Sequence, residues 1–147
     1  MKYLVEKVGE AEFPELVAVW EASVRATHHF ISEEDIAYYK PLILNEYLNA
    51  VNLRVVRNDQ QAIIGFMGVA EQQLEMLFIH PDYRGTGIGK ALLNYAIDTM
   101  QVTQVDVNEQ NKQAVGFYTK ANFKLTSRSP LDSAGKPYPI LHLKLEK

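Results

Sequence analysis

One segment of the sequence, residues 74–97, passes directly from a strand pattern to a helix pattern through a turn rich in glycine. It reads LEMLFIHPDYRGTGIGKALLNYAI, and Pro81 follows the apolar run of the strand. Apolar residues then recur at spacings of three and four, which predicts a helix over 87–100 with one buried face. A strand that leads into an amphipathic helix is typical of helices packed on a sheet, so the segment indicates a mixed α/β fold.

The rest of the chain continues this mixture of elements. Alternating apolar and β-branched residues predict strands over 2–8, 53–58, 61–70, 73–80, 103–108, 123–128 and 140–145. Helical spacing predicts helices over 12–27, 33–49, 87–100 and 110–121. Ser32 opens the second helix as the first residue of a capping box, and Pro41 is expected to break it. A length of 147 residues matches one domain, so we expect a single domain over 1–147.

Composition argues against several classes of function. The chain has 15 lysines and arginines against 18 aspartates and glutamates, a net charge of −3, which disfavours a strongly basic nucleic-acid binder. It has no cysteine, which removes disulfides, thiolate metal sites and a cysteine nucleophile. No apolar run approaches the roughly 18 residues that cross a bilayer, and acidic residues interrupt the N-terminal segment where a signal peptide is apolar. We therefore expect a cytoplasmic protein that binds no nucleic acid, membrane or metal.

The glycine-rich turn has the features of an anion site. Glycines alternate at positions 85, 87 and 89, and glycine lets the backbone turn tightly and approach a ligand closely. The first N–H groups of the following helix lack partners and carry partial positive charge. Arg84 and Lys90 add formal charge. We therefore expect phosphate groups to bind here.

Two familiar phosphate-binding patterns do not fit this turn. A Walker motif needs glycine where Arg84 lies and serine or threonine where Ala91 lies. A dinucleotide motif that starts at Gly85 needs glycine where Lys90 lies. The pattern present is Arg-x-x-Gly-x-Gly, from position 84 to position 89. These mismatches argue against a protein that binds ATP or a dinucleotide.

A second block, residues 105–123, reads VDVNEQNKQAVGFYTKANF. A strand end is followed by Asn-x-x-Ala-x-x-x-Tyr-x-x-x-x-Phe, formed by Asn111, Ala114, Tyr118 and Phe123. With the Arg-x-x-Gly-x-Gly turn before it, the sequence resembles the GNAT superfamily of acyl-CoA-dependent N-acetyltransferases. The segments THHFISEED and RSPLDSAGKPYPILHL are similar to a subgroup of small bacterial single-domain members. Asn122 stands where the family usually has glycine, and asparagine tolerates positive φ better than most residues.

The resemblance implies a fold and a cofactor. The fold is a central, mostly antiparallel sheet of six to seven strands with a splayed pair of parallel strands, flanked by about four helices. In the family the turn holds the pyrophosphate of coenzyme A and the pantetheine arm pairs with the first splayed strand, so acetyl-CoA is the implied cofactor. The residues implied to bind it are Leu77, Phe78, Ile79, Arg84, Gly85, Thr86, Gly87, Ile88, Gly89, Lys90, Asn108, Asn111, Ala114, Phe117 and Tyr118.

The resemblance also implies direct transfer of an acetyl group from the thioester to a primary amine. A backbone N–H near Phe78 would stabilise the oxyanion, and Tyr118 would protonate the departing thiolate. Spacing alone fits Tyr118 equally well as a core aromatic residue. The amine must also lose a proton. Strand alternation places Glu75 on the same face as positions 77 and 79, which makes it the first candidate for the base, with His80 or water as alternatives.

The amine acceptor is less defined. His28 and His29 follow the first helix, where the family often builds the acceptor wall, and we expect at most one of them to face the site. Asn108 either contacts the pantetheine amide or caps the next helix, and His142 is expected to be structural. The tyrosines that fit an acceptor cleft, or equally the core, are Tyr38, Tyr39, Tyr47 and Tyr138.

Several functional questions stay open at this point. A protein lysine, an N-terminal amine and a small amine are all compatible with the sequence as acceptors. The family also allows a homodimer. The alternative function is a non-catalytic acyl-CoA-binding regulatory module, because binding a cofactor does not require chemistry.

Overall fold

The computed structural model describes residues 3–146. Within them, four α-helices, α1 (Phe13–Thr27), α2 (Glu33–Leu42), α3 (Ile88–Asp98) and α4 (Lys112–Lys120), flank a six-stranded sheet. The strands are β1 (Asn52–Arg57), β2 (Ile63–Ala70), β3 (Gln73–Ile79), β4 (Gln104–Asn108), β5 (Phe123–Ser129) and β6 (Ile140–Leu145), in the sheet order β1-β2-β3-β4-β6-β5. β3 and β4 are parallel and the other neighbouring pairs are antiparallel. The expected mixed fold with one parallel pair is confirmed.

The sheet has an apolar core on each face. α3 and α4 pack on one face, where Leu92 and Ala96 are fully buried. α1 and α2 pack on the other face, where Leu16 and Trp20 are buried. Because helices cover both of its faces, β2 is buried almost throughout, which explains the continuous apolar run in place of alternation. None of the helices in the described part of the chain combines the length and apolar character needed to cross a bilayer.

The expected strand over 2–8 is wrong for the residues that the structure describes. Between residues 3 and 8 a single bridge forms, in which Glu6 and Val55 exchange both backbone hydrogen bonds at 2.9 and 2.8 Å. The Tyr3 hydroxyl donates to the Thr86 carbonyl at 3.0 Å, so the chain before Glu6 lies against the glycine-rich turn and does not follow β1. Residue 2 lies outside the described residues.

The second helix begins at the predicted cap, and its α-helical hydrogen bonding ends just after the predicted break at Pro41. The Ser32 hydroxyl caps α2 by accepting from the N–H of Asp35 at 3.1 Å. Pro41 has no N–H to donate to the carbonyl four residues earlier. After Leu42 the α-helical bonding gives way to a π-helical turn over Ile43–Tyr47 and a 3-10 turn over Leu48–Ala50.

β3 and β4 separate after a short parallel stretch. Gln73 pairs with Gln104 and Leu74 pairs with Val105, and no further pair joins these two strands. Beyond that point β3 stays paired with β2 as far as Ile79, and β4 stays paired with β6. Each strand is therefore held by its other neighbour, which keeps a gap open between them.

Candidate active site

A cavity of about 430 Å³ occupies the gap between β3 and β4. Its walls come from residues 74–79 of β3, residues 105–108 of β4, the glycine-rich turn with the start of α3, and one face of α4. The gap therefore brings together the two sequence blocks on which the resemblance rests. The cofactor candidates that line it are Leu77, Phe78, Ile79, Arg84, Gly85, Gly87, Ile88, Gly89, Lys90, Asn108, Asn111, Ala114, Phe117 and Tyr118.

The glycine-rich turn offers unpaired N–H groups to this cavity. Gly85 and Gly87 have φ values of 75° and 91°, which residues with a Cβ rarely adopt. Two hydrogen bonds hold the turn through Thr86, which does not line the cavity: its carbonyl accepts from the Tyr3 hydroxyl, and its hydroxyl donates to the Tyr83 carbonyl at 2.5 Å. The N–H groups of residues 85–90 make no hydrogen bond to any residue that the structure describes.

These donors fit the diphosphate of coenzyme A. Unpaired N–H groups at the start of a helix carry partial positive charge and bind phosphate oxygens directly. Arg84 and Lys90 line the same wall, and within residues 3–146 neither forms an ion pair. The turn can therefore supply both hydrogen bonds and charge to a pyrophosphate.

The β3 backbone is free on the side of the gap. The pairing of β3 with β4 ends at Leu74, while the other edge of β3 remains hydrogen-bonded to β2. An extended chain such as the pantetheine arm can add to such an edge by hydrogen bonding to backbone groups. Residues 77–79, the segment expected to do this, lie along the open part of the strand.

Glu75 lies in a bulge of β3, so its expected placement by strand alternation is wrong. Positions 68 and 69 of β2 pair with Met76 and Leu74, which leaves Glu75 as an extra residue. Leu74 and Leu77 pack in the core on the α3 side of the sheet, whereas Glu75, like Met76, also faces the space on the α1–α2 side. Burial, and then the charge of Asp106, raises the pKa of Glu75 above its ordinary value.

Tyr118 is buried on α4 and its side chain lines the gap. Its ring contacts Phe117 and Phe123, with centroids 5.2 and 5.9 Å away. Burial raises the pKa of Tyr118 well above the usual value of a phenol, because the charged form is poorly solvated. The hydroxyl is therefore protonated throughout the physiological pH range and can act as a proton donor.

His28 connects α1 to α4 through hydrogen bonds that require a neutral imidazole. Its Nδ1 lies 2.7 Å from Thr27 Oγ1, and that hydroxyl lies 2.8 Å from the Ser23 carbonyl. The single hydroxyl proton goes to the carbonyl, so Nδ1 is the donor to Thr27 and Nε2 is left as an acceptor. Nε2 lies 3.4 Å from Nδ2 of Asn111, whose Oδ1 caps α4 by accepting from the N–H of Ala114 at 3.2 Å.

This environment gives a pH-dependent contribution to stability. Burial, and then the neighbouring His29, lowers the pKa of His28 to about 4. An unfolded histidine titrates near 6.5, so the unfolded chain binds more protons between pH 6.5 and 4, and stability falls as the pH drops through that window. We expect the titration of His28 to lower the free energy of unfolding by about 2 kcal/mol when the pH falls from 7 to 5. Urea unfolding at both pH values measures this difference.

Two variants separate His28 from other groups that titrate. His28→Gln should lose this part of the pH dependence, because glutamine does not titrate. His29→Gln should keep most of it, since His29 is exposed. Equal pH dependence in the unchanged chain and in His28→Gln would contradict the assignment.

A second cavity of about 470 Å³ lies on the α1–α2 side of the sheet. Three of the four tyrosines predicted as cleft residues line it, Tyr39, Tyr47 and Tyr138, together with the carboxylate of Asp132. The residues that line both cavities are His28, Glu75, Met76, Phe78 and Asn108. A molecule in the second cavity can therefore meet one in the gap at these side chains.

The segment between β5 and β6 forms one wall of this second cavity and is fastened to α2. The hydroxyl of Tyr39 donates to Asp132, and the hydroxyl of Tyr138 donates to Asp35. Lys136 Nζ lies 3.0 Å from Asp35 Oδ1. The hydrogen bond from Tyr138, and then that from Lys136, lowers the pKa of Asp35, so this carboxylate stays ionised.

Two predicted histidines lie away from both cavities. His29 is exposed and is not among the residues that line them. His80 caps the short turn after β3, where its Nδ1 accepts from the N–H of Asp82 at 3.2 Å, and it too lines neither cavity. Of the three histidines considered for the site, the structure brings only His28 to it.

Of the two roles expected for Asn108, the structure excludes that of the cap of α4. Asn108 does not cap α4, because Asn111 does so. The Oδ1 of Asn108 accepts from the N–H of Gln110 at 2.9 Å, and the residue lies where the two cavities meet. Asn122 has a φ of 73°, as expected for a residue in the place of a glycine.

Sequence reasoning missed Asp106 and Thr27. Asp106 lines the gap two residues before Asn108, so the alternation of β4 could have identified it. Thr27 lines the gap from the C-terminal end of α1, a placement set by the packing of α1 on the sheet, for which the sequence carries no local signal. Among residues 3–146, no group of three or more histidine, aspartate or glutamate side chains is placed to hold a metal ion.

Comparison with known proteins gives a consistent picture. A family model described as an acetyltransferase (GNAT) domain matches residues 21–138. The peptidyl-lysine N-acetyltransferase YjaB of Escherichia coli (strain K12) is 45% identical over 139 residues, which cover 95% of this chain and 94% of that protein.

Two solved structures are similar over nearly the whole chain. The solution structure of apo-form YjaB from Escherichia coli matches with a TM-score of 0.87 and 41% identity, covering 98% of this chain and 97% of that one. The PaiA N-acetyltransferase from Thermoplasma acidophilum in complex with coenzyme A matches with a TM-score of 0.74 and 25% identity, covering 98% and 99%. The second of these holds coenzyme A on the same fold.

Proposed function

Because this chain belongs to the GNAT acetyltransferase family and is an N-acetyltransferase that uses acetyl-CoA, we propose that its acceptor is the side-chain amine of a lysine residue in a protein. The observation that carries the proposal is the second cavity, which meets the gap at His28 and Glu75. A lysine side chain has an apolar stem and a charged end. Aromatic and aliphatic walls suit the stem, and the carboxylates of Glu75 and Asp132 suit the ammonium.

The name of the relative YjaB, a peptidyl-lysine N-acetyltransferase, supports the same acceptor. A lysine amine with a pKa near 10.4 is neutral only about 4 times in 10,000 at pH 7, a handicap of roughly 4.6 kcal/mol. Glu75 takes the proton in our proposal, because it lines both cavities and its raised pKa makes it a stronger base than an ordinary carboxylate.

We assign the other roles to groups that line the gap. Acetyl-CoA, when bound, supplies the activated acetyl thioester. The N–H groups of residues 85–90, with Arg84 and Lys90, hold the diphosphate. A backbone N–H of β3 on the gap side, next to Phe78, stabilises the negative charge that develops on the acyl oxygen, since Phe78 itself pairs with Phe66 of β2. Tyr118 donates its hydroxyl proton to the departing sulfur.

The proposal is tested with acetyl-CoA and matched peptides. One peptide has an acetylated N-terminus and an internal lysine, a second has a free N-terminus and no lysine, and a polyamine serves as the small amine. We expect thiol release and a gain of one acetyl group with the lysine peptide, and much slower reaction with the others. Preference for the N-terminus or the polyamine would contradict the acceptor, and coenzyme A binding without turnover on any amine would favour a regulatory module.

Two further features belong to the proposal. The chain has no cysteine, which suits a reducing compartment, and we propose a cytoplasmic location. β5 is an edge strand of the sheet, which is where a second copy could pair to form a homodimer. Sedimentation equilibrium over a range of concentrations distinguishes monomer from dimer.

A further inference from the structure

A row of four polar side chains runs across the sheet from the gap to the edge strand. Asp106 on β4 hydrogen-bonds to His142 on β6, with Oδ1 and Nδ1 2.7 Å apart. Nε2 of His142 lies 2.7 Å from Oγ of Ser129 on β5. Glu75 on β3 lines the gap with Asp106. Since the sheet order is β3-β4-β6-β5, the row takes one side chain from each strand.

The register of the sheet makes this row continuous. Gln73 pairs with Gln104 and Leu74 with Val105, so Glu75 and Asp106 are the first residues beyond the last pair of β3 and β4. Asp106 and His142 are direct partners across β4 and β6. The row is therefore fixed by backbone pairing up to the position where the two strands separate.

The hydrogen bonds give His142 a defined orientation. A carboxylate can only accept, so His142 donates from Nδ1 to Asp106. In the neutral imidazole Nε2 is then the acceptor, and it accepts the hydroxyl proton of Ser129. Both ring nitrogens are satisfied, and the Asp106 carboxylate is held at the wall of the gap that it shares with Glu75.

We propose that Asp106 is a positioning residue, held by His142 and Ser129, whose charge determines how readily Glu75 accepts a proton. This inference rests on the base role of Glu75 in the proposed function. Asp106 acts without touching the acceptor: a second negative charge close by makes the ionised form of Glu75 less favourable. The hydrogen bond from His142 offsets part of that charge.

Other charged and titratable side chains also share cavity walls with Glu75. Tyrosines apart, those at the gap and the second cavity are His28 after α1, Arg84 and Lys90 at the glycine-rich turn, and Asp132 before β6. Glu71, after β2, shares a third cavity with Glu75, near the start of β3. Asp106 is the one whose charge raises the pKa of Glu75, second to burial. The groups that hydrogen-bond to the His142 ring are Asp106 on one side and Ser129 on the other.

The test measures the titration of Glu75 directly, by NMR of its side-chain carboxyl in the full chain without cofactor. Asp106→Asn should lower the midpoint by about half a pH unit to one unit, because it removes the negative charge. His142→Leu should raise the midpoint, because the charge of Asp106 is then no longer offset. Ser129→Ala should shift it in the same direction by less.

Ser127→Ala is the matched control. Ser127 is also on β5 and is the direct strand partner of His142, but the hydrogen bond to the ring comes from Ser129. It should leave the midpoint unchanged. An unmoved midpoint in Asp106→Asn, or shifts of the same sign in Asp106→Asn and His142→Leu, would overturn the inference.

A second readout separates this inference from the proposed function. If Glu75 is the base, the acid limb of kcat/KM against pH shifts with the measured midpoint in each variant. Shifted midpoints with an unshifted rate profile would uphold the coupling between Asp106 and Glu75 and reject Glu75 as the base. If the midpoint of Glu75 does not move in Asp106→Asn, while the acid limb of kcat/KM in the unchanged chain follows the titration of Glu75, the inference about Asp106 is rejected and the base role of Glu75 stands.

Discussion

Tyr118→Phe is expected to lower kcat about 100-fold while the affinity for coenzyme A stays close to that of the unchanged chain. The substitution removes one oxygen at the wall of the gap and keeps the ring that packs against Phe117 and Phe123. Without the hydroxyl, the departing thiolate has no acidic proton donor among the α4 residues that line the gap. Steady-state thiol release gives kcat, and calorimetry gives the affinity for coenzyme A.

The pH dependence sharpens this result. Because burial raises the pKa of Tyr118, the hydroxyl stays protonated up to and beyond pH 10, and the unchanged chain should show no fall in kcat from its titration below that pH. Tyr95→Phe is the matched control, a tyrosine on α3 that does not line the gap, and it should keep normal activity. Equal kcat for Tyr118→Phe and the unchanged chain across the pH range would reject the acid role.

The parts of the site that the sequence predicts are those encoded by local patterns. The strand, the glycine-rich turn and the helix over 74–97 are continuous in the chain, and their turn chemistry and apolar spacing determine the structure directly. The cap of α4 is likewise local, since Asn111 and Ala114 are three residues apart. These features place the unpaired N–H groups and Tyr118 without knowledge of the remaining fold.

The orientation of Glu75 could not be predicted in this way. Alternation assumes an uninterrupted strand, and one extra residue in β3 moves Glu75 off the face of Leu77. Nothing in the letters LEML distinguishes a bulged strand from a regular one. The bulge is defined by pairing with β2, which is a contact between different parts of the chain.

The same limit applies to features that depend on the insertion of β6 between β4 and β5. His142 is more than 30 residues from Asp106 in sequence, and it becomes its neighbour through this arrangement. The bonds from Tyr39 to Asp132 and from Tyr138 to Asp35 join residues about 100 positions apart. Such pairs become visible only when the sheet order is known.

Gly87→Val is expected to weaken coenzyme A binding at least 100-fold. Gly87 precedes α3 with a φ of 91°, a conformation that a β-branched residue adopts only with strain, so valine forces the turn to change. The change disturbs the unpaired N–H groups of residues 85–90, and each charge-assisted hydrogen bond to phosphate contributes about 1.5–3 kcal/mol. Loss of two such bonds is enough for the expected effect, because about 1.4 kcal/mol corresponds to a factor of ten.

Gly135→Val separates loss of the phosphate site from backbone strain in general. Gly135 has a similar φ of 79°, its added Cβ would meet open space, and it does not line the gap. Calorimetry should therefore show near-normal coenzyme A affinity for Gly135→Val and strongly reduced affinity for Gly87→Val, with both variants folded by circular dichroism. Equal affinities for the two would mean that the diphosphate is held elsewhere, because the strain is matched and the two variants differ in their distance from the N–H groups of the turn.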